Sequence, residues 1–370
     1  MSKIQAGIPV TGSEFIGREE DINTMIELLQ MGQSIVLIAP RRFGKTSLVL
    51  ELLSHLKKQK KYTSFVDIFA SPTIAALSEQ ITAQVLKNNK LDAIFKKSAQ
   101  SALKLFKNAK LKAVIEDFEF LLSFAESNQN HWKLLENSID FIDDYAIKNK
   151  KQMICAFDEF GDISKLNGNK IVKLFRSKTQ QHKNTSYIFS GSYESVMNNL
   201  FVTQKAPFYR FARVINLGFI EPIKFSAYFK KKFKYFGITK YEKLSEQILQ
   251  FTQGHPYYSQ LALQETIIFY KLYDKLPTFN QLIETMLQSE RNYLEKSWEE
   301  VSASKSTVKV IITIVKSSNG VYAALRNSGI NIFRTLDQLK NRGVLIKGDN
   351  NSYQFSDPLF KKWIKTNVLS

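Results

Sequence analysis

Residues 35–47 read Ile-Val-Leu-Ile-Ala-Pro-Arg-Arg-Phe-Gly-Lys-Thr-Ser, and an apolar, helix-compatible stretch follows to about residue 58. A short apolar run, a tight loop ending Gly-Lys-Thr, and then a helix is the context in which G-x-x-x-x-G-K-[ST] binds phosphate. Backbone N–H groups of the loop and of the helix start would face the phosphates. In that arrangement Lys45 reaches the terminal phosphates as a point charge, and the Thr46 hydroxyl reaches a magnesium ion. Gly44 lets the backbone approach without a Cβ in the way. One position departs from the pattern: Ala39 stands where the first glycine is usual. Ala39 is strained by about 1 kcal/mol if that position needs a positive φ, and nearly neutral if it does not.

The rest of the chain supplies a frame for such a loop. Five short, mostly apolar runs occur at 35–39, 63–69, 153–158, 186–190 and 213–217, with helix-like stretches such as 46–58, 74–87 and 132–148 between them. Apolar runs alternating with helices predict an α/β fold with a parallel sheet covered on both faces. The stretch 91–124 is longer than a simple crossover needs, and its nature stays open. The third run, 153–157, ends in Asp158-Glu159. Paired carboxylates at a strand end are costly unless a cation offsets them. Asp158 is therefore the candidate magnesium ligand, with Thr46, and Glu159 the candidate base for an attacking water. Ser190, ending the fourth run, is the candidate polar contact to a terminal phosphate or that water. Arg41, Arg42, Arg210 and Arg213 are candidates for balancing transition-state charge.

Beyond residue 222 the pattern changes. Residues 224–243 carry seven Lys against one acid, Glu242, and helix-like segments follow to about 298, broken by Gly254-His255-Pro256. Residues 305–370 carry 11 Lys and Arg against three Asp. There, three helix-like runs (307–316, 322–327, 332–342) precede a hairpin signal, 344–347 and 352–355 around a turn at 348–351. That order predicts a winged helix-turn-helix, whose 332–342 helix would read a DNA major groove. Arg326, Arg334, Lys340, Arg342 and Lys347 are its candidate contacts.

Composition limits the remaining classes. The formal charge of +18 favours anionic partners, or serves solubility alone. One cysteine excludes an intrachain disulfide, and four scattered His offer no zinc spacing. Cys155 reads as a small buried hydrophobe. The opening MSKIQAGIPVTGSEF lacks a secretion-type apolar stretch, and no segment approaches the ~20 apolar residues of a membrane span. The expected location is cytoplasmic.

The motifs together resemble the archaeal-type ATPases of the STAND branch of AAA+ P-loop proteins, over nearly the whole chain. Phe15-Ile16-Gly17-Arg18-Glu19 looks like the family's F-x-G-R-E box beside the adenine. The segment 40–48 looks like its P-R-R-x-G-K-T-S-L loop, and Phe157-Asp158-Glu159-Phe160 like its D-E-F acid motif. Residues 188–192 resemble its sensor strand, and Gly254-His255-Pro256-Tyr257 its G-x-P lid motif. Ser356-Asp357-Pro358-Leu359-Phe360 with Trp363 resembles its closing winged-helix segment. Many members carry Gly-Arg after the Pro-Phe-Tyr equivalent, where Arg210-Phe211 stands here.

The resemblance implies a P-loop NTPase core at 1–221, a helical lid at 222–304 and a winged helix at 305–370. It implies ATP and Mg²⁺ as ligands, hydrolysis to ADP, and a switch-like action. Gly17, Arg18, residues 39–47, His255 and Pro256 would hold the nucleotide, and Lys45, Glu159, Ser190 and Arg210 would serve catalysis. Two other readings remain: a DNA-binding winged-helix module with a regulatory ATP site, the alternative use of that winged helix being to pack on a partner protein, and an interaction scaffold with a decayed site. No residue excludes GTP.

Overall fold

Each of the five apolar runs is a strand: β1 (Ile35–Ile38), β2 (Tyr62–Asp67), β3 (Met153–Asp158), β4 (Thr185–Gly191) and β5 (Arg213–Asn216). This computed structural model describes residues 4, 6–88, 130–316, 320–348 and 352–369. The stretch 91–124 and residues 349–351 of the expected turn lie outside the described residues. The five strands form one parallel sheet in the order β2-β3-β4-β1-β5. β1, β3 and β4 are buried along their whole length, which is why they read as continuous apolar runs. Edge strand β5 is partly exposed and correspondingly mixed in sequence.

Strand alternation splits the sheet between two cores. Ile35 and Leu37 face one side, with α1 (Glu19–Gln30) and α2 (Lys45–Lys58). Val36 and Ile38 face the other, with α3 (Ile74–Leu86), α4 (His131–Lys148), α5 (Ser164–Thr179) and α6 (Glu194–Phe201). The second side holds much of the phenylalanine content. Phe157, Phe160, Phe175, Phe189, Phe201 and Phe208 meet there at ring-centroid distances of 4.6–6.1 Å, mostly edge-on or tilted. Cys155 is fully buried, and burial pushes its thiol up to about 12, so it packs as a hydrophobe.

The remainder is helical until near its end. It comprises α7 (Pro222–Tyr235), α8 (Glu242–Thr252), α9 (Pro256–Tyr273), α10 (Phe279–Ser289), α11 (Arg291–Ser302), α12 (Lys305–Lys316), α13 (Val321–Ala324) and α14 (Ile332–Asn341). An antiparallel pair follows, β6 (Leu345–Lys347) with β7 (Tyr353–Phe355), and then α15 (Pro358–Asn367). The expected helix–hairpin order is therefore present. One continuous apolar core runs from Ile220 to Ile364, passing through both regions expected on either side of residue 305. Among the described residues, no helix is long and apolar enough to cross a membrane.

Candidate functional site

The loop after β1 lies at the carboxyl ends of the parallel strands, where open α/β sheets bind their ligands. Its turn is made by Arg42 (φ 68°) and Gly44 (φ 80°), and Gly44 caps α2. Ala39 does not have a positive φ, so the alanine at that position is unstrained. The loop wraps around Lys45. That side chain is 5% exposed and donates to the carbonyls of Ala39 (2.8 Å) and Pro40 (3.0 Å). Burial pushes its ammonium down to about 8. Glu159 and Asp158 pull it back up, and Arg41 adds to the lowering.

The acid pair closes on the loop from β3. Thr46 Oγ1 donates to Asp158 Oδ2 at 2.6 Å, and Ser190 Oγ donates to Asp158 Oδ1 from neighbouring β4. Glu159 takes a left-handed φ of 49°, which turns it off the strand. Its carboxylate accepts from Ser192 Oγ (2.6 Å) and Ser192 N (3.3 Å). Both carboxylates are thus fixed by hydroxyl donors at the end of β4.

A cavity of about 750 Å³ opens over this cluster. Residues 41–47, Asp158, Glu159, Arg18 and Pro256 line it. Of the other expected residues, some adjoin this cavity and others do not. Arg18 is buried and donates to the Gly218 carbonyl, and a Cβ on Gly17 would lie 2.3 Å from Ile220 Cγ2. That part of the resemblance therefore also packs the chain onto the segment leading into α7. Ala39 and Pro40 hold Lys45 from beneath. Ser190 reaches the site through Asp158 rather than through the cavity wall. His255 stands behind the loop. It is buried, meets Phe43 edge-to-face with ring centroids 4.8 Å apart, and caps α9. Burial, with Arg42 nearby, pushes its imidazole down to about 3, so it is neutral. Arg210 is exposed, with its guanidinium 5.3 Å from the Tyr209 ring, and does not line the cavity.

Several lining residues carried no sequence signal. Residues 7–10 form one wall. They are held by long-range bonds from Val10 N to Ser47 Oγ (3.0 Å) and Gly12 N to Glu51 Oε2 (2.7 Å). Gln260, on the second turn of α9, forms another part, beside Tyr257 of the lid motif. Asp67 was discoverable: it is the one acid within the second apolar run, and it ends β2, where it pairs in register with Asp158. Burial, and then Asp158, push its carboxyl up.

A second cavity, of about 580 Å³, lies on the opposite side of the loop, toward α11, β6 and α15. The two loop arginines are pinned to different walls. Arg41 donates to Tyr193 OH at 2.5 Å. Arg42 pairs with Glu290 at 2.5 Å between the rings of Tyr257 and Tyr293. Two of the basic residues expected to meet DNA have partners within the chain: half-buried Lys340 pairs with Glu194 at 3.0 Å, and Arg342, which is exposed, donates to the Glu300 carbonyl at 3.3 Å.

A family model described as an ATPase domain predominantly from Archaea matches residues 15–261. The chain belongs to this family. Its fold is shared with a Walker-type ATPase of Pyrococcus abyssi, at 18% identity and a TM-score of 0.70 over 97% of this chain and 99% of that one. The ORC2 protein of Aeropyrum pernix in its ADP form matches at 10% identity and a TM-score of 0.53, covering 98% and 97%. No curated protein matches the chain.

The cavity of this ATPase domain suits a nucleotide in size. Its chemistry suits the phosphate end: a buried ammonium, the positive end of α2, and one hydroxyl and one carboxylate oxygen meeting at 2.6 Å. Among the described residues there is no group of three or more His, Cys, Asp or Glu able to hold a metal. Two hard oxygen ligands, with water and phosphate completing the shell, suit Mg²⁺, which is rarely caged by protein alone.

Proposed function

We propose that this chain binds and hydrolyses ATP with Mg²⁺, and acts as a nucleotide-dependent switch of the STAND type. The observation that carries the proposal is the convergence of Lys45, Thr46, Asp158 and Glu159 on one cavity. Lys45 would bind the β- and γ-phosphates, and the amides at the start of α2 would face them. Thr46 and Asp158 would hold Mg²⁺, with Ser190 orienting Asp158. The metal, when bound, supplies charge neutralisation at the phosphates. Glu159, held by Ser192, would orient the attacking water and take its proton. Arg41, which lines the cavity, is better placed than Arg210 to meet transition-state charge. Residues 1–221 would be the core, 222–304 the lid and 305–370 a winged helix. The helix–hairpin order of the last region supports that division.

The deciding experiment is phosphate release from ATP by the wild type, Glu159→Gln and Lys45→Ala, with Mg²⁺ and with chelator. Release by the wild type only with Mg²⁺ is expected. Glu159→Gln should keep nucleotide binding and lose release, and Lys45→Ala should lose both. A wild type that binds no nucleotide in ample Mg²⁺ ends the proposal.

A second reading has one observation in its favour. The first turn of α14 presents Phe333 and Arg334 to solvent, with Arg326 and Lys347 also exposed. The N-terminal residues of a recognition helix are those that reach base edges. Duplex binding through this end would weaken steeply with salt. Absent or salt-independent binding removes it.

A further inference from the structure

Arg42 is a non-glycine residue held in the left-handed region, at the tip of a loop that borders both cavities. Its side chain explains how it is kept there. The guanidinium pairs with Glu290 Oε2 at 2.5 Å and lies 4.3 Å and 4.1 Å from the ring centres of Tyr257 and Tyr293. Glu290 is 8% exposed, and its second oxygen accepts from Tyr257 OH. A carboxylate this buried depends on its cation. Glu290 joins α10 to α11, so the pair ties the phosphate loop directly to that junction.

A second link continues from the same place. Tyr258 OH donates to Asp357 Oδ2 at 2.5 Å, and Asp357 Oδ1 accepts from Phe360 N at 2.8 Å as the cap of α15. The Trp298 ring of α11 lies 6.3 Å from the Trp363 ring of α15, so the two helices also meet directly. The loop, the start of α9, α11 and α15 therefore share one chain of polar and aromatic contacts.

We propose that Arg42–Glu290 is a latch through which nucleotide in the cleft is sensed by α11 and α15. The proposal rests on the nucleotide-binding reading above and specifies its regulation. The physical basis is competition. A polyphosphate seated on residues 41–47 brings several negative charges beside Arg42, and one guanidinium cannot satisfy both that anion and Glu290 fully. Planar bidentate recognition makes arginine the cation suited to either partner. As the phosphate draws on Arg42, Glu290 loses its cation and the α10–α11 junction loosens. Tyr258 and Asp357 pass the change on to α15.

Amide hydrogen exchange on the full chain tests this, with and without a non-hydrolysable ATP analogue and Mg²⁺. A fluorescent ADP analogue reports binding in parallel. In the wild type the analogue should speed exchange in residues 291–302 and 358–367 at least threefold. In Glu290→Gln the nucleotide should still bind, and that response should vanish. Should Glu290→Gln fail to fold, Glu290→Asp, one methylene shorter, should lose at least half of the response. Tyr258→Phe should keep the response in 291–302 and lose it in 358–367. A wild-type response that is missing or of opposite sign overturns the latch, as does one that persists undiminished in the Glu290 variants. Full transmission to 358–367 in Tyr258→Phe overturns the second link. Absence of nucleotide binding by the wild type would instead defeat the parent reading, so the two failures are distinguishable.

Discussion

Thr46 Oγ1 donates to Asp158 Oδ2 across 2.6 Å, joining two residues 112 positions apart in sequence. The contact spans from the first turn of α2, which follows β1, to the end of β3, with β4 lying between those two strands in the sheet. It brings together the two oxygens proposed to hold Mg²⁺.

Thr46→Ala removes one of those oxygens and leaves the loop backbone in place. The Mg²⁺ concentration needed for half-maximal phosphate release should rise roughly 10–100-fold, the range seen when groups supporting a metal are lost. Thr46→Ser keeps the hydroxyl and should stay near the wild type. A magnesium titration of turnover checks both. An unchanged magnesium requirement in Thr46→Ala would remove Thr46 from the metal site.

How much of this was legible beforehand follows from what is local. All five strands were readable, because each is a short apolar run and β1, β3 and β4 are buried on both faces. The loop and the acid pair were readable because each is a contiguous motif. Sheet order was not: placing β4 between β1 and β3 is a packing outcome that no single run encodes. Nor was the wall formed by residues 7–10. It depends on Val10 meeting Ser47 and Gly12 meeting Glu51, pairings with no periodicity or spacing behind them. The same holds for Arg42 and Glu290, 248 positions apart. The excess of Lys and Arg in the last 66 residues counts different kinds of cation alike: Lys340 is half-buried against Glu194, whereas Arg326, Arg334, Arg342 and Lys347 are exposed. A charge count cannot tell a solvated cation from a paired one.

Ala39→Gly should bring no gain in activity. Ala39 is 3% exposed and not in the left-handed region, so glycine relieves nothing there. It adds freedom to the unfolded chain and should cost about 0.5–1 kcal/mol of stability. Turnover should stay within about twofold, since no contact made only in the transition state changes. Steady-state kinetics beside a urea melt decide it. A severalfold faster variant would mean that the alanine restrains the loop after all.

Gly254 should not tolerate alanine. Its φ is 78°, and a Cβ there would fall 1.7 Å from the backbone oxygen of Ile220, while Gly254 O accepts from Ile220 N at 3.0 Å. Backbone must move, breaking the contact that holds α9 against the segment entering α7. The expected loss is above ~2 kcal/mol, beyond the cost of positive φ alone. Gly237→Ala is the control. Its φ is 70° but nothing lies within 4 Å of the added carbon, so only about 1–2 kcal/mol of backbone strain applies. Thermal melts should rank Gly254→Ala clearly below Gly237→Ala. The reverse order would contradict the close approach of Gly254 to the Ile220 backbone.

Asp357 should make stability fall as pH rises through the acid range. Burial pushes its carboxyl up to about 6 from an ordinary 3.8, against the lowering effects of Tyr258 OH, the Phe360 amide and Arg42. Below 3.8 the folded and unfolded chains both hold the proton, and Asp357 contributes no pH dependence. Between 3.8 and 6 the unfolded chain releases it first, so rising pH favours unfolding. Above 6 both states are ionised and the penalty is constant, on the order of 3 kcal/mol by linkage. Asp357→Asn cannot ionise and escapes that penalty, although it alters the hydrogen bonds to Tyr258 and Phe360 by a pH-independent amount. Its stability relative to the wild type should therefore climb between pH 4 and pH 6 and then level off. His255, held down to about 3 by burial, titrates in both proteins and drops out of the difference. Urea unfolding of the two proteins from pH 4 to pH 7 measures the effect. A difference that stays flat across that range would show that Asp357 ionises as an exposed carboxylate does, and that the cap of α15 is not buried against Tyr258.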